Sequence, residues 1–410
     1  MTLNFPLNTI LVAGVYTRPI VESVKKLGLN AIAVDYFGDY DLAKTADDLF
    51  SVSELKRKDK PEEATGEILF KLTQEALEVH DVDAVLLSSG MEHYPENVKR
   101  LEKRTELIGN KSSQLSFCRD KERIFDTADE LGIPHPPIKL AQTTGRALRV
   151  AEDIGYPVVL KTPQGGGGIG VRLASSPEEL ETHFEKLAPR RGGVVYVQPY
   201  IRGVDASASV LSNGSEAKCL TVNRQIIGDE RLGVPRRFGF CGNIVPLATE
   251  REYLSQIAEY SQMICSEIGL VGSNGVDFVI SEDGPYLVEI NPRFQNSFDL
   301  VERALNINLV EEHFLSSRGK LNIYGKPNNC HVKLIIYARQ GFRTPDLTRF
   351  RNVVDIPWED SIVERRKPIC SVIKSGEDRR KTIREAYELA GKIQNFCQSR
   401  EISSSPISPS

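Results

Sequence analysis

The sequence predicts an α/β protein whose N-terminal part is a parallel sheet covered by helices. Over the first hundred residues, short apolar runs alternate with segments of helical periodicity, as expected for a parallel sheet. Further along, strand signals follow one another directly, and one pair is joined by a hairpin turn, which predicts α+β lobes. The length of 410 residues and the 40% hydrophobic content allow two or three domains with a substantial core.

Five elements make up the predicted N-terminal sheet and its helices. They are a strand at 9–13, a helix at 18–27, a strand at 31–34, a helix at 61–80 and a strand at 84–87. Ligands of parallel sheets lie beyond the C-terminal ends of the strands. Those ends carry Arg18, Asp35 and Glu92, so we expect polar chemistry at this edge.

The rest of the chain is predicted to contain helices and strands that form two lobes. We predict helices at 121–131, 250–268 (with Thr249 as N-cap) and 379–396, and strands at 157–161, 194–199, 206–211, 217–225, 275–280 and 286–290. Residues 332, 334 and 336 alternate as in a further strand, and the Ser/Pro-rich tail 398–410 is predicted to be disordered. We find no internal repeat.

Charge and composition exclude several classes of function. The 52 basic and 56 acidic residues give a net charge of −4, which argues against a surface devoted to nucleic acid or anionic lipid. No apolar run reaches the roughly 18 residues of a membrane span, and the N-terminus lacks a signal-peptide pattern. Seven cysteines without a CxxC pair argue against a disulfide framework or a thiolate zinc site. We therefore expect a cytoplasmic protein without nucleic-acid or membrane partners.

A predicted strand delivers Lys161 directly into a run of four glycines, Gly165, Gly166, Gly167 and Gly168. Glycines let backbone N–H groups approach phosphate oxygens, and a lysine supplies a point charge. The spacing is not that of a P-loop, because no Gly-Lys-Ser/Thr follows the glycines. Taken alone, the run is equally typical of a flexible surface loop.

The predicted hairpin 275–293 carries a set of hard oxygen donors. Asp277 and Glu289 lie on opposite arms, while Asn291 and Arg293 share a strand face with Glu289 because side chains alternate along a strand. Two carboxylates and an amide oxygen suit Mg²⁺, and the arginine can meet a phosphoryl or carboxylate group. The alternative is a solvated β face. The converging donors favour a functional site.

A third segment, Gln198-Pro199-Tyr200-Ile201, ends a predicted strand. The Pro199 carbonyl could accept a hydrogen bond and the Ile201 N–H could donate one, as an adenine edge requires. By itself this segment is simply a strand end.

Together these motifs resemble the ATP-grasp superfamily, in the branch that contains biotin carboxylase and carbamoyl phosphate synthetase. The resemblance is carried, in the same order along the chain, by Asp120-Lys121, residues 156–161, the four glycines, residues 198–201 and the Asp277…Glu289-Ile-Asn291-Pro-Arg293 hairpin. It covers roughly residues 9–316. It departs from the family at Gln198, where many members have Glu, and at Asp277, where Glu is usual. Both residues keep an oxygen donor, so we expect shifted affinity rather than lost activity.

The resemblance implies a role for each of these residues. Lys121 and Lys161 would contact phosphates under the glycine loop, and Gln198, Pro199 and Ile201 would hold adenine, with Asp205 at the ribose. Asp277, Glu289 and Asn291 would bind Mg²⁺, for which Mn²⁺ could substitute. Arg293, together with Lys161, would act in catalysis by steadying the transferred phosphate or the acyl phosphate.

The resemblance also implies a domain plan. A pre-ATP-grasp, Rossmann-like domain would span 1–112, the small lobe with its linker helix 113–195, the large lobe 196–319 and a C-terminal α/β extension 320–397. Whether that extension completes the ATP-grasp domain or forms an appendage stays open.

The implied activity is an ADP-forming ligase that activates a small-molecule carboxylate as an acyl phosphate for attack by an amine or a thiol. A carboxylase that activates bicarbonate and a non-catalytic nucleotide-binding protein are the alternatives. The chain has no Met-Lys-Met biotin-attachment motif, although a separate carrier protein would supply one. Arg237, Arg18 and Glu92 are the candidates for holding the substrate, with an exposed loop the alternative for Arg237. A homodimer is compatible with the sequence.

Overall fold

The computed structural model describes residues 7–59, 65–163, 165–188 and 193–399. Three expectations fall partly or wholly outside these residues. They concern the signal-free N-terminus, the first residues of the helix predicted at 61–80 and the tail predicted at 398–410, of which only 398 and 399 are described.

The N-terminal domain is a five-stranded sheet in the order β3-β2-β1-β4-β5, and all of its strand pairs are parallel. Its strands are β1 (Thr9–Gly14), β2 (Asn30–Asp35), β3 (Asp48–Ser51), β4 (Ala84–Leu87) and β5 (Glu106–Leu107). The connecting helices are α1 (Arg18–Lys26), α2 (Tyr40–Thr45), α3 (Val52–Asp59), α4 (Thr65–Val79) and α5 (Pro95–Leu101). Because helices cover the sheet, β1 and β2 are buried along almost their whole length. The predicted parallel sheet is confirmed.

Two helices, α6 (Ser112–Arg119) and α7 (Lys121–Glu130), lead into the small lobe. This lobe is an antiparallel sheet in the order β6-β9-β7-β8, backed by two helices. Its elements are β6 (Lys139–Ala141), α8 (Thr144–Ile154), β7 (Val158–Lys161), β8 (Val171–Ala174), α9 (Pro177–Leu187) and β9 (Val195–Pro199). Asp120 caps α7 by accepting a hydrogen bond from the Arg123 N–H, so Lys121 becomes the first residue of that helix.

The large lobe contributes five long antiparallel strands. They are β10 (Val204–Asn213), β11 (Ala217–Ile227), β12 (Phe240–Val245), β13 (Val271–Ser281) and β14 (Gly284–Asn291). Between β12 and β13 runs α10 (Arg251–Glu267), and after β14 come α11 (Phe298–Leu305) and α12 (Leu309–Ser317). The prediction of Thr249 as N-cap is wrong, because Glu250 holds that position and makes no side-chain capping hydrogen bond.

The C-terminal part completes the large-lobe sheet. Its elements are β15 (Cys330–Tyr337), β16 (Phe342–Arg343), β17 (Val353–Val354), β18 (Ile362–Val363), β19 (Pro368–Gly376) and α13 (Arg379–Gln398). β15 pairs with β12 and β19, which gives one eight-stranded sheet in the order β14-β13-β10-β11-β12-β15-β19-β17. Strand pairing therefore joins this part of the chain to the large-lobe sheet, while the domain boundaries stay a prediction.

Candidate active site

The hairpin β13–β14 places two carboxylates face to face. Asp277 is the direct cross-strand partner of Glu289, and Asn291 is paired with Gly275. The Asp277 carboxyl group accepts hydrogen bonds from Gln225 Nε2 and Asn291 Nδ2, each at 2.9 Å. Cross-strand partners lie about 5 Å apart at Cβ, so the register brings the oxygens of three side chains into one cluster.

Two lysines approach this cluster from other elements. Lys121 Nζ, at the start of α7, donates to Glu289 Oε1 at 3.2 Å. Lys161 ends β7, and burial together with repulsion from Lys121 lowers its pKa to about 8. The candidate phosphate lysines are therefore close enough to influence each other and Glu289.

The two carboxyl groups have opposite pKa shifts. Burial, and then repulsion from Glu289, raises the pKa of Asp277 to about 7. Burial would also raise the pKa of Glu289, but Lys121 and Lys161 outweigh it and lower that pKa. Since 44% of the Glu289 side chain remains exposed, its carboxylate is open to a ligand. A divalent cation would favour the ionised form of both groups, so the donor set fits Mg²⁺.

A cavity of about 170 Å³ lies beside this cluster. Its lining brings together most of the residues predicted from sequence: Glu92, Lys121, Gly165, Gly166, Gly167, Gly168, Asp277, Glu289, Asn291 and Arg293. The glycine loop contacts the start of β12, where the Phe240 N–H donates to the Gly167 carbonyl at 3.3 Å. Gly168 has a φ of +80°, and a Cβ atom there would overlap the Phe238 carbonyl oxygen. Glycine is thus required where the loop packs against the large lobe.

Arg293 follows β14 and is held by three protein acceptors. Its Nε donates to Glu92 Oε1 at 2.5 Å, its Nη1 to the Phe294 carbonyl at 3.0 Å and its Nη2 to Asn291 Oδ1 at 3.1 Å. Glu92 comes from the N-terminal domain, so this ion pair joins that domain to the segment that follows the β13–β14 hairpin. The guanidinium is fixed at the cavity wall and keeps two N–H groups for an anionic ligand.

The adenine and ribose candidates do not contribute to the lining of this cavity. Gln198 is buried in β9 opposite Val159, and Pro199 is opposite Val158. Ile201 lies just beyond the strand. Asp205 is the second residue of β10. Burial raises the pKa of its carboxyl group to about 6, although the positive charge of Arg224 acts to lower that pKa. Their roles remain predictions.

The two arginine candidates for substrate binding also lie away from the cavity lining. Arg237 is exposed, with its guanidinium 5.7 Å from the centre of the Tyr200 ring. Arg18 is only 2% exposed and donates to Asp299 and Asp355, each at 2.6 Å. These contacts give Arg18 a place in the interior of the protein instead of at a ligand.

Sequence reasoning missed several residues at the site. Gln225 reaches Asp277 from β11, two strands away in the sheet, and only the strand order β13-β10-β11 makes that contact possible. Cys118 also lines the cavity, and burial raises the pKa of its thiol to about 12, which keeps it protonated at neutral pH. Its segment gave no signal in the sequence beyond a lone cysteine.

The described residues show neither a metal cluster of His, Cys, Asp and Glu side chains nor a membrane-spanning helix. No group of three or more His, Cys, Asp or Glu side chains there is arranged to hold a metal ion, so the candidate metal site depends on Asn291 as well as the two carboxylates. None of the helices in the described part of the chain is long and apolar enough to cross a membrane.

The segment that carries most of these residues is similar to a known protein domain. Residues 118–297 match the family model of the ATP-grasp domain. An uncharacterised protein of Methanocaldococcus jannaschii is 26% identical over 396 residues, covering 95% of this chain and 94% of that protein. The arginine-specific large chain of carbamoyl phosphate synthase from Halalkalibacterium halodurans is 27% identical over 57% of this chain and 22% of its own length. This chain thus spans about a fifth of that synthase subunit.

Solved structures share the fold along nearly the whole chain. A biotin carboxylase–β,γ-ATP complex from Campylobacter jejuni has a TM-score of 0.76 at 19% identity and covers 95% of both chains. The biotin carboxylase domain dimer of Hydrogenobacter thermophilus 2-oxoglutarate carboxylase, bound to MgADP, ADP and bicarbonate, has a TM-score of 0.75 at 19% identity, covering 97% and 96%. The ADP complex of N5-carboxyaminoimidazole ribonucleotide synthetase has a TM-score of 0.70 at 18% identity, covering 95% and 97%.

Proposed function

We propose that this chain, which contains the ATP-grasp domain that its sequence predicts, is an ATP-dependent ligase. It activates a small-molecule carboxylate as an acyl phosphate, which an amine attacks, with release of ADP and phosphate. The observation that carries the proposal is the cluster of Lys121, Asp277, Glu289 and Arg293 around one cavity. Lys161 is not part of the cavity lining, but its charge acts on Glu289 and Asp277.

The residues present fit Mg²⁺ and ATP. Asp277, Glu289 and Asn291 offer the hard oxygen donors that Mg²⁺ prefers, and their facing carboxylates are stabilised by a divalent charge. When bound, the metal would neutralise charge on the transferred phosphoryl group, and Mn²⁺ would substitute for it.

The lysines and the glycine loop would hold the phosphates. The chain carries a net charge of −4, so attraction for a polyanion must come from local cations. One lysine–phosphate pair at about 4 Å contributes about 4 kcal/mol at an effective dielectric constant near 20, before desolvation is subtracted. Gln198, Pro199, Ile201 and Asp205 complete the proposed nucleotide site at its adenine and ribose end.

Arg293 would position the carboxylate that receives the phosphoryl group. Glu92, Asn291 and the Phe294 carbonyl fix its guanidinium, and its two remaining N–H groups can bind an anion. Preorganised donors of this kind stabilise the charge that develops during acyl transfer without having to reorient.

Release of ADP tests this function. Purified protein is incubated with ATP and Mg²⁺ and with pools of small carboxylates and amines, including amino acids. ADP formation that requires one carboxylate and one amine supports the ligase. ADP formation that requires bicarbonate instead supports a carboxylase, the second candidate, which the shared fold with biotin carboxylases favours. Binding of ATP without ADP formation in any mixture indicates a non-catalytic nucleotide-binding protein.

We also propose that the active form is a homodimer. The Hydrogenobacter thermophilus domain of the same fold is described as a dimer. Light scattering coupled to size-exclusion chromatography measures the mass directly. A mass near 45.7 kDa, that of one chain, would contradict the proposal.

A further inference from the structure

The Glu92 carboxyl group has one oxygen that the protein does not use. The residue lies in the 3-10 turn Met91–His93 after β4, and only 9% of its surface is exposed. Oε1 accepts the hydrogen bond from Arg293 Nε, whereas Oε2 is buried and has no hydrogen-bond partner among the described residues. A buried carboxylate oxygen without a donor costs free energy, so a donor from outside the protein is expected there.

The surroundings of Glu92 have room for such a donor. Beside the main cavity lies a second one of about 20 Å³, and the two share Glu92, Leu115, Pro292 and Arg293 as lining. A space of this size suits one water molecule or one small polar head group. The donor can therefore be part of a ligand that occupies the main cavity.

The charge of that donor follows from the lining of the smaller cavity. Arg293 is the only Lys or Arg among its described lining residues, and it already donates to Glu92 Oε1. The histidine of the lining, His313, has both ring nitrogens occupied, since the Ser273 N–H donates to Nδ1 and Nε2 contacts the Ile108 carbonyl. Apart from Arg293, the described residues that line the smaller cavity therefore offer no cation to Oε2, and His93 lies on the side of the other oxygen, with Nε2 3.9 Å from Oε1. This arrangement favours a cationic donor over a neutral one.

We propose that Glu92 binds the primary ammonium group of a substrate in the ligase reaction. Such a substrate would place an anionic group against the free N–H groups of Arg293 and its ammonium group against Glu92. The four groups would then form a row in which positive and negative charges alternate. The proposal rests on the proposed function and narrows its substrate class. The ammonium group belongs either to the acid that is activated, which is then an amino acid, or to the attacking amine, which would first give a proton to Glu92 and then attack as the neutral amine.

Matched pairs of compounds distinguish these two sources. With hydroxylamine as the nucleophile, ADP release and hydroxamate formation are measured for glutamate against glutarate, aspartate against succinate and alanine against propionate. If the acid carries the ammonium group, amino acids react and their des-amino partners do not. If the attacking amine carries the ammonium group, the des-amino acids react as well. Methylamine can then serve as the nucleophile in place of hydroxylamine, and the KM for methylamine depends on Glu92.

The variant Glu92→Gln keeps the shape of the side chain and the acceptor for Arg293 but turns Oε2 into a donor. We expect the KM for the ammonium-bearing substrate to rise about 10- to 100-fold, while the KM for ATP stays within about twofold. Glu96→Gln, on the exposed side of α5 four residues later, is the matched control and should leave both values unchanged. A merely structural role for Glu92 would not discriminate between an amino acid and its des-amino partner.

Thermal shift measurements separate failure of this proposal from failure of the ligase function. Wild-type protein, Glu92→Gln and Glu96→Gln are each titrated with the same compounds and methylamine in the presence of Mg²⁺ and a non-hydrolysable ATP analogue. Without any ADP release the ligase function fails, yet stabilisation by ammonium compounds that Glu92→Gln abolishes still supports ammonium binding. The proposal is overturned if Glu92→Gln matches the wild type, or if no ammonium compound stabilises the wild type more than its des-amino partner.

Discussion

Glu289 is the residue on which most of the charged groups at the site converge. It opposes Asp277 across the hairpin and accepts a hydrogen bond from Lys121, and the charges of Lys121 and Lys161 act on its carboxylate. Its carboxylate therefore balances two cations and keeps the exposed oxygen that the proposed metal site requires. We therefore expect Glu289 to matter more for ligand binding than for the stability of the fold.

We predict that Glu289→Ala lowers the rate of ADP formation by at least about 100-fold, since it removes a metal ligand and the partner of Lys121. The free energy of unfolding, measured by urea denaturation, should change by less than about 1 kcal/mol because the side chain is 44% exposed. Glu282→Gln in the turn of the same hairpin is the control. Full activity of Glu289→Ala would refute the assignment of the site.

The lowered pKa of Lys161 leads us to predict that nucleotide binding depends on pH. Burial and Lys121 lower its pKa to about 8, so it loses its charge as the pH rises through that value. Affinity for an ATP analogue, measured by calorimetry, should fall between pH 7 and pH 9.5. Lys161→Arg keeps its charge over this range and should show a flat profile. An equal fall in both proteins would assign the effect to another group.

The same shift affects folding. The unfolded chain has the usual lysine pKa near 10.5, so above about pH 8 the unfolded state binds more protons than the folded one. The contribution of Lys161 to stability therefore becomes more favourable as the pH rises from about 8 to 10.5. At neutral pH the charged, buried Lys161 therefore lowers the free energy of unfolding. A cost of this kind is typical of the charged groups at a functional site.

Among the elements, the glycine loop has the strictest conformational requirement. Gly168 combines a positive φ with close contact to Phe238, whereas Gly166 has open space around its Cβ position. The four glycines are thus not equivalent, although the sequence presents them as a uniform run.

We predict that Gly168→Ala raises the KM for ATP about tenfold or more. A left-handed conformation costs a non-glycine residue about 1–2 kcal/mol, and the overlap with the Phe238 carbonyl adds to it, so the loop would leave its position against the large lobe. Gly166→Ala is the matched control and should bind ATP like the wild type. Steady-state kinetics at varied ATP measures both, and equal KM values would show that the loop contact has no part in binding.

The hairpin 271–291 is the element that the sequence predicted best. Alternation placed Glu289 and Asn291 on one face, and the short turn placed Asp277 opposite Glu289, as the register confirms. Local periodicity determines such contacts because few residues separate the two strands. Gln225 was missed for the opposite reason, since β11 reaches the hairpin only through β10.

At the scale of the whole molecule, a buried charge cluster joins three parts of the chain. Arg18 from the N-terminal domain contacts Asp299 on α11 and Asp355 directly after β17. Lys333 on β15 donates to the Tyr16 hydroxyl at 2.6 Å and lies 3.3 Å from Asp299. Asn296 lines the cavity, and its carbonyl accepts a hydrogen bond from Lys333 at 3.4 Å. The cluster therefore ties the domains together directly behind the site.

We predict that Arg18→Met lowers the free energy of unfolding by about 3–5 kcal/mol, because it leaves Asp299 and Asp355 buried with one cation fewer. Arg384→Met removes an exposed pair with Glu388 and should cost less than about 1 kcal/mol. Urea denaturation measures both variants. A loss of less than about 1 kcal/mol for Arg18→Met would show that the cluster adds little to stability.

The sequence by itself determined the parallel N-terminal sheet and the facing carboxylates of the hairpin. Each follows from local periodicity or from the spacing of a few residues. Only the tertiary structure decided that β15 and β19 complete the large-lobe sheet, that Glu92 binds Arg293 and that Arg18 turns inward to Asp299. These contacts join residues more than 200 positions apart or depend on strand order, and local pattern carries no information about which distant charge becomes a partner. The wall of the cavity formed by Glu92 and Arg293 was therefore decided by domain packing, whereas the hairpin with its two facing carboxylates could be predicted from the order of residues.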